Sequence, residues 1–362
     1  MKNEGKLEEL VDGSERIAIL VPNFSQFSGD ARVAEVQARD LARMGKQVTI
    51  FALDGDISTQ AGIDVVRIGM PQDPMAQRVY RLLFPVNIIG TYRLLKRLRE
   101  YDLLISHLYP MNWPASLAKG LFGKKYVYWY HGIPPPDIYP FLYERLYIRF
   151  FIYFTKITIA NADKIISVSQ FAKGELHRYT GHDSDVIYNR PDTTKFQTVF
   201  DEKEIRDEYG LGDEPIILSV GRICPQKGFH LLIKVHRLIR ESVSDAKLII
   251  VGKPVYDYYI QNLRAEADEN VLFVGYVDDE KLSKFFRICD IYATCSLWET
   301  YNLPLVEALE MGKPAVAFDI GPHSEVANER CVLVSERDLK GFAKACIDLL
   351  KEKRSSERGK VS

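Results

Sequence analysis

Residues 216–239 read IILSVGRICPQKGFHLLIKVHRLI. A short β-branched and apolar run is followed by a Gly-Arg turn, and then by apolar residues at helical spacing. The stretch therefore reads as strand, turn and amphipathic helix. Outward from it the same alternation continues in both directions, which is the pattern of parallel sheets with crossover helices. Toward the carboxyl end the predicted strands are KLIIVG, NVLFVG, DIYATCS, PAVAFD and CVLVS. Toward the amino end they are RIAILVP, QVTIFAL, DVVRIG, DLLISHL, KYVYWYH, KIISVS and DVIYN. The fold class is α/β, as two doubly wound, Rossmann-like units in tandem. Ligands of such open sheets bind beyond the carboxyl ends of the strands, so two sheets facing each other are expected to form an interdomain cleft.

A chain of 362 residues exceeds one ordinary core. The alternation breaks in NRPDTTKFQTVFDEKEIRDEYGLGDEP, which places an amino-terminal domain at 1–190 and a carboxyl-terminal domain at 191–362, with 191–214 as linker. Hydrophobic residues make up 46% of the chain, and 48 basic against 49 acidic groups leave a net charge of −1. No overall field recruits nucleic acid, so any anion site is local. Five cysteines without Cys-x-x-Cys spacing read as buried reduced thiols of a cytoplasmic protein. Residues 1–15 are charged, lack an apolar run of signal-peptide length and read as a loose tail.

In the opening stretch Arg222 follows the strand and Lys227 precedes the helix, so both cations can converge on one anion at the turn. A helix amino terminus adds unpaired N–H groups and a positive dipole end, which suits a diphosphate. The order differs from a Walker loop. The plain alternative is a basic surface turn. Residues 295–318, CSLWETYNLPLVEALEMGKPAVAF, repeat this grammar. A short helix is expected to begin at Asn302 or Leu303, with Pro304 in its first turn and Gly312 and Pro314 at its end. The N–H groups of Tyr301, Asn302 and Leu303 then lie at the carboxyl edge of the sheet, Glu299 precedes them, and Glu307 lies within the helix among apolar neighbours. Carboxylates accept paired hydrogen bonds from adjacent hydroxyls, the way acidic residues hold ribose.

SVGRICPQKG, NVLFVGYVDDEKLSKFF and SLWETYNLPLVEALEMGKPAVAFDIGPHSEV together resemble the retaining glycosyltransferases of family 4, which have the GT-B fold. The resemblance runs from about residue 16 to about residue 350. It implies that Arg222 and Lys227 bind the diphosphate of a nucleotide-sugar donor, that Glu299 lies by the donor sugar and that Glu307 holds the ribose. FSGDARVAEVQARDLARMGKQVTIFAL is similar to the family's first loop, helix and second strand, with Gly29 where two adjacent glycines are usual. YWYHGI puts His131 where the family often has a histidine that contacts the transferred sugar. In the linker Arg190 and Pro191 replace small residues. The family's aromatic-glycine-leucine is Tyr301, Asn302, Leu303 here, and Asn is the side chain best able to replace glycine at positive φ. Family members usually end in a helix crossing back to the first domain, a brace that is either absent here or replaced by the last helix.

The expected activity is transfer of a hexose-type sugar from a UDP- or GDP-sugar to a glycan, lipid-linked or small-molecule acceptor. No cofactor is expected besides that donor. Asp54–Asp56 (DGD) and Asp183–Asp185 (DSD) have acidic spacing, but these are turn residues, and with Arg222 and Lys227 neutralising the leaving diphosphate no metal is required. Two segments point to an acceptor or a membrane. Residues 77–100 are basic and apolar, and residues 141–160 are dense in aromatics interrupted by charges; both carry too many charges to span a bilayer. The sharper expectation is peripheral contact with anionic lipid at the inner face of the cell membrane, or a groove for a lipid-linked acceptor. The simpler one is helices packed on the first sheet with their cations in water. An epimerase of the same fold and a non-catalytic nucleotide-sugar-binding subunit are the rival functions, separated by acceptor-dependent release of nucleotide.

Overall fold

The computed structural model of the protein describes residues 4–25, 29–55, 63–192 and 200–361. Two compact units divide the chain, Met1–Arg190 and Pro191–Ser362. The first has strands β1 (Arg16–Asn23), β2 (Gln47–Asp54), β3 (Ile63–Arg67), β4 (Leu103–His107), β5 (Lys125–Tyr130), β6 (Lys164–Ser167) and β7 (Asp185–Val186). Its helices are α1 (Glu4–Val11), α2 (Gly29–Arg43), α3 (Pro74–Leu82), α4 (Ile88–Leu98), α5 (Asn112–Phe122), α6 (Leu142–Ile159) and α7 (Gln170–Thr180). The strands pair in parallel in the order β3-β2-β1-β4-β5-β6-β7.

The second unit repeats the scheme with β8 (Ile216–Val220), β9 (Lys247–Val251), β10 (Val271–Gly275), β11 (Ile291–Thr294), β12 (Ala315–Phe318) and β13 (Cys331–Val334). Its helices are α8 (Glu202–Glu208), α9 (Phe229–Arg240), α10 (Asp257–Glu266), α11 (Asp279–Ile288), α12 (Leu303–Glu310), α13 (His323–Val326) and α14 (Leu339–Val361). The order is β10-β9-β8-β11-β12-β13, again parallel. All thirteen strands fall on the predicted runs. The central strands, such as β1, β4, β8 and β11, are mostly apolar through their length because both sheet faces are covered there. Ile217, Leu248 and Ile250 pack with α9 and α14, while Ile216, Leu218, Ile249 and Val251 point the other way, toward α8, α11 and α12. In each sheet the order reverses beside the first strand of its unit, between β1 and β4 and between β8 and β11. The loops after those strands diverge to opposite faces and leave a crevice at the carboxyl edge.

One expectation is corrected. Residues 1–15 are not a loose tail throughout: α1 buries Leu7 and Val11, and Lys6 Nζ donates to the Val186 carbonyl at 2.9 Å. Its charges face water while two apolar residues four apart reach the core, a stripe too narrow to stand out in the sequence. The linker contains helix α8. Asp201 caps α8 by accepting from Lys203 N, and Ile205 is 1% exposed within the second core. Residues 193–199 of that linker lie outside the described residues. The cysteines carry free thiols, all buried except the half-buried Cys331. The last helix, α14, packs on α9 and on β11 to β13 of its own unit.

Candidate active site

Adjacency of β8 and β11 brings the two stretches singled out in the sequence side by side. After β8 the chain turns through Arg222 and a single 3₁₀ turn, Pro225–Lys227, before α9 begins. After β11 it runs through Ser296 and Glu299 to α12. The loops are stapled by their backbones, since Leu297 N donates to the Gln226 carbonyl at 2.8 Å. At Gly228, where φ is 65°, a Cβ would stand 1.9 Å from the Cys295 carbonyl oxygen. Only glycine permits that approach.

The approach sets Lys227 Nζ 2.5 Å from Glu299 Oε1. Ser296 Oγ donates to the same oxygen at 2.8 Å, and the Ser296 hydroxyl is itself 3.0 Å from Thr294 Oγ1. Glu299 is 8% exposed. Burial pushes its carboxyl up, but the Lys227 ammonium and the Ser296 hydroxyl outweigh burial and hold it below the usual carboxylate range. Arg222 is different. Its side chain is exposed and has no hydrogen-bond or ion-pair partner among the described residues. The cluster thus offers an anion one unengaged guanidinium and one ammonium shared with a carboxylate.

Asn302 takes φ 61° and ψ 69°, the left-handed conformation expected of a residue in a glycine's place. Its Oδ1 accepts from Leu305 N at 3.4 Å, capping α12, with Pro304 in the first turn. The Nδ2 group donates to His323 Nε2 at 2.9 Å. His323 is completely buried, and its Nδ1–H donates to the Phe318 carbonyl at 2.7 Å. A carbonyl can only accept, so the ring is the Nδ1–H tautomer and its Nε2 is free to receive the amide. Burial depresses the basicity of His323 despite the attraction of Glu299. Tyr301 and Glu307 are buried at 8% and 5% exposure, and Leu303 opens the helix.

Gly29 and His131 belong to the first unit. Gly29 is the exposed first residue of α2, and the preceding Gln26, Phe27 and Ser28 lie outside the described residues. His131 follows β5 and is bound to His107, which ends β4: His131 Nε2 and His107 Nδ1 are 2.7 Å apart. His107 Nε2 in turn meets Gln37 Oε1 of α2 at 3.0 Å. With Gln37 accepting, His107 carries its proton on Nε2 and His131 donates from its own Nε2, so His131 Nδ1 remains an acceptor. Burial pushes His131 down to about 4 and His107 well below its ordinary value, so both rings are neutral near pH 7.

Sequence reasoning did not find Ser296, His323, His107 or Gln37. A serine three residues before Glu299 was a weak signal, and the others are ordinary residues until neighbouring strands bring them together. In the DSD stretch Asp183 pairs with Lys173 at 3.0 Å and Asp185 with Lys164 at 3.4 Å. Asp56 of the DGD stretch lies outside the described residues.

The Glycosyltransferase Family 4 model matches residues 27–195, and the Glycosyl transferases group 1 model matches residues 201–360. An uncharacterized glycosyltransferase of Methanocaldococcus jannaschii, MJ1059, is 27% identical over 256 residues, which cover 66% of this chain and 61% of that protein. The GDP-mannose-dependent alpha-(1-6)-phosphatidylinositol monomannoside mannosyltransferase of Mycolicibacterium smegmatis is 27% identical over 208 residues, 54% of either chain. The chain spans about half the length of the curated relatives it matches. Among solved structures, Alr3699/HepE of Anabaena in complex with UDP-glucose has a TM-score of 0.73 at 18% identity, over 94% of this chain and 90% of that one, a likeness of fold.

Proposed function

The chain belongs to the GT4-type glycosyltransferases of the GT-B fold, and from that premise we propose that it is a retaining, metal-independent hexosyltransferase using a nucleotide diphosphate sugar. The observation that carries this reading is the pairing of Lys227 with Glu299 ahead of the capped start of α12, with Arg222 exposed on the same loop as Lys227. That UDP-glucose is bound in a protein of the same fold, and that one relative depends on GDP-mannose, supports a UDP- or GDP-sugar as donor.

The donor diphosphate lies against Arg222, Lys227 and the backbone N–H groups from Tyr301 to Leu303. As the bond from the anomeric carbon to the diphosphate breaks, negative charge grows on the departing oxygen, where the two cations stabilise it. The acceptor oxygen bonds to the same face of that carbon, and its proton passes to the departing phosphate oxygen. Configuration is retained and no side chain acts as nucleophile. Glu299 orients the sugar hydroxyls and Glu307 holds the ribose. His131, in the first unit, contacts the transferred sugar. The acceptor is a glycan, a lipid-linked sugar or a small molecule, and the reaction runs in the cytoplasm at the inner face of the membrane.

The test is nucleotide release from UDP- and GDP-sugars with and without an acceptor panel, in EDTA, with the anomeric configuration of the product read by NMR. Acceptor-dependent release with retained configuration is the expected result. Donor interconversion without acceptor would replace this reading by the epimerase one. Inverted product or loss of activity in EDTA would overturn the mechanism.

A further inference from the structure

The outer face of α6 carries Leu142, Leu146, Phe150, Tyr153 and Ile157, all exposed, Leu142 to 71%. Their spacing of three and four residues puts them on one stripe of the helix, opposite Ile148, Thr155 and Ile159, which are buried. This is more than a helix packed on the sheet with cations in water. It has two apolar faces, and only one of them is covered. Next to it α3 exposes Met75 and Val79, with Leu83 capping its end at the same four-residue spacing, the turn into α4 exposes Val86, and α4 opens on Ile88, exposed to 76%. Arg78 of α3 joins the two regions by pairing with Glu144 of α6 at 3.0 Å.

Charge on these helices is one-sided although the chain as a whole is nearly neutral. Helices α3, α4 and α6 carry two, three and three basic residues, and their single acid is Glu144, which is buried beneath Arg78. Arg93, Lys96, Arg97, Arg149 and Lys156 are exposed beside the apolar stripes. No helix among the described residues is long and apolar enough to cross a membrane.

We propose that α3, the turn into α4 and the outer face of α6 form an interfacial surface that seats on an anionic lipid bilayer without crossing it. The apolar stripes enter the boundary between headgroups and acyl chains, while the arginines and lysines reach lipid phosphates along their aliphatic stems. A second copy of the chain is a poorer occupant, because a two-fold contact through this face would set against one another the basic groups of helices that themselves carry no exposed acid. An anionic surface meets the apolar and the basic requirement together.

Vesicle flotation tests the assignment without any sugar nucleotide, so its failure leaves the transferase reading untouched. Wild-type protein is expected to float with phosphatidylcholine vesicles containing phosphatidylglycerol at low salt, and not with phosphatidylcholine alone. Phe150→Ser/Tyr153→Ser and Arg149→Glu/Lys156→Glu alter only exposed side chains, and unchanged thermal midpoints would show that both variants fold. Each is expected to bind anionic vesicles at least about ten-fold more weakly. No flotation of the wild type, or equal flotation of the variants, would overturn the proposal. So would concentration-dependent dimerisation in sedimentation velocity that Phe150→Ser/Tyr153→Ser abolishes while anionic vesicles are left unbound, which would make the face a contact between copies.

Discussion

Lys227 and Glu299 stand 72 positions apart in the chain, and their side chains meet at 2.5 Å beside the backbone contact of Gly228 with Cys295. The group proposed to hold the diphosphate and the group proposed to orient the sugar are thus bound to each other. A diphosphate on Lys227 must share that ammonium with Glu299, so donor binding and the setting of the sugar-orienting carboxylate are one event. Removing the lysine leaves a mostly buried carboxylate without its cation. Lys227→Ala is expected to lose about 3 kcal/mol of stability by chemical denaturation and to lose the thermal shift given by UDP or GDP. In a double-mutant cycle with Glu299→Ala, the coupling should be about 1–3 kcal/mol. Additive losses would mean that the pair is not formed in solution.

Arg222 gives a contrasting expectation. It is exposed and has no partner among the described residues, so Arg222→Ala should leave the denaturation midpoint within about 0.5 kcal/mol of wild type. The same variant should weaken nucleotide diphosphate binding by about ten-fold or more in calorimetry. Undiminished affinity would remove Arg222 from the diphosphate site.

Gly228→Ala places a methyl group against the Cys295 carbonyl at positive φ. The loops must separate, and a loss of at least about 2 kcal/mol is expected in denaturant melts. Nucleotide response should fall with it, because Lys227 precedes this residue. A stable, nucleotide-responsive variant would show that the stapled loops do not position the site.

Asn302 combines a left-handed backbone with a helix cap and a hydrogen bond to His323. Asn302→Gly relieves the backbone but loses both hydrogen bonds, and should change stability by no more than about 1 kcal/mol. Asn302→Val keeps the backbone cost and removes the polar links, so about 2–3 kcal/mol is expected. Equal effects in the two variants would mean that φ at this position does not matter.

His131 and His107 set an acid limit. The unfolded chain takes up protons near pH 6.5, whereas in the folded protein His131 does so only near 4 and His107 well below its ordinary value. Between those values the unfolded state binds more protons, so stability falls as pH falls from about 6.5 toward 4. Glu299 extends the loss further into acid, since its carboxyl is held low and its stabilisation disappears as pH drops through that depressed value. Urea melts between pH 7.5 and 4.5 should show this slope, and His107→Asn should flatten it. A wild-type midpoint independent of pH across that range would contradict neutral, buried rings.

Short β-branched apolar runs located the strands of both sheets among the described residues, most sharply the central ones, because a run buried on both faces must be apolar nearly throughout. The turn after residues 216–220 and the helix start at Asn302 were readable for a similar reason: each depends on residues adjacent in the chain, whereas the left-handed conformation of Asn302 was legible only from the resemblance, in which it stands in a glycine's place. The register of α1 and the helix inside the linker were not, since their few buried residues show as burial only once a partner surface exists.

Residue types and local spacing determined that this protein has two parallel α/β units, that Arg222, Lys227 and Glu299 follow strand ends and that Glu307 lies within the next helix. Tertiary structure alone decided that β8 lies beside β11, so that Lys227 binds Glu299, and that β4 lies beside β5, so that His107 binds His131. It also decided which stripe of α6 faces the core and which is left outside. Local spacing fixes the period of a helix or strand, whereas strand order and the covered face come from how distant segments exclude water together.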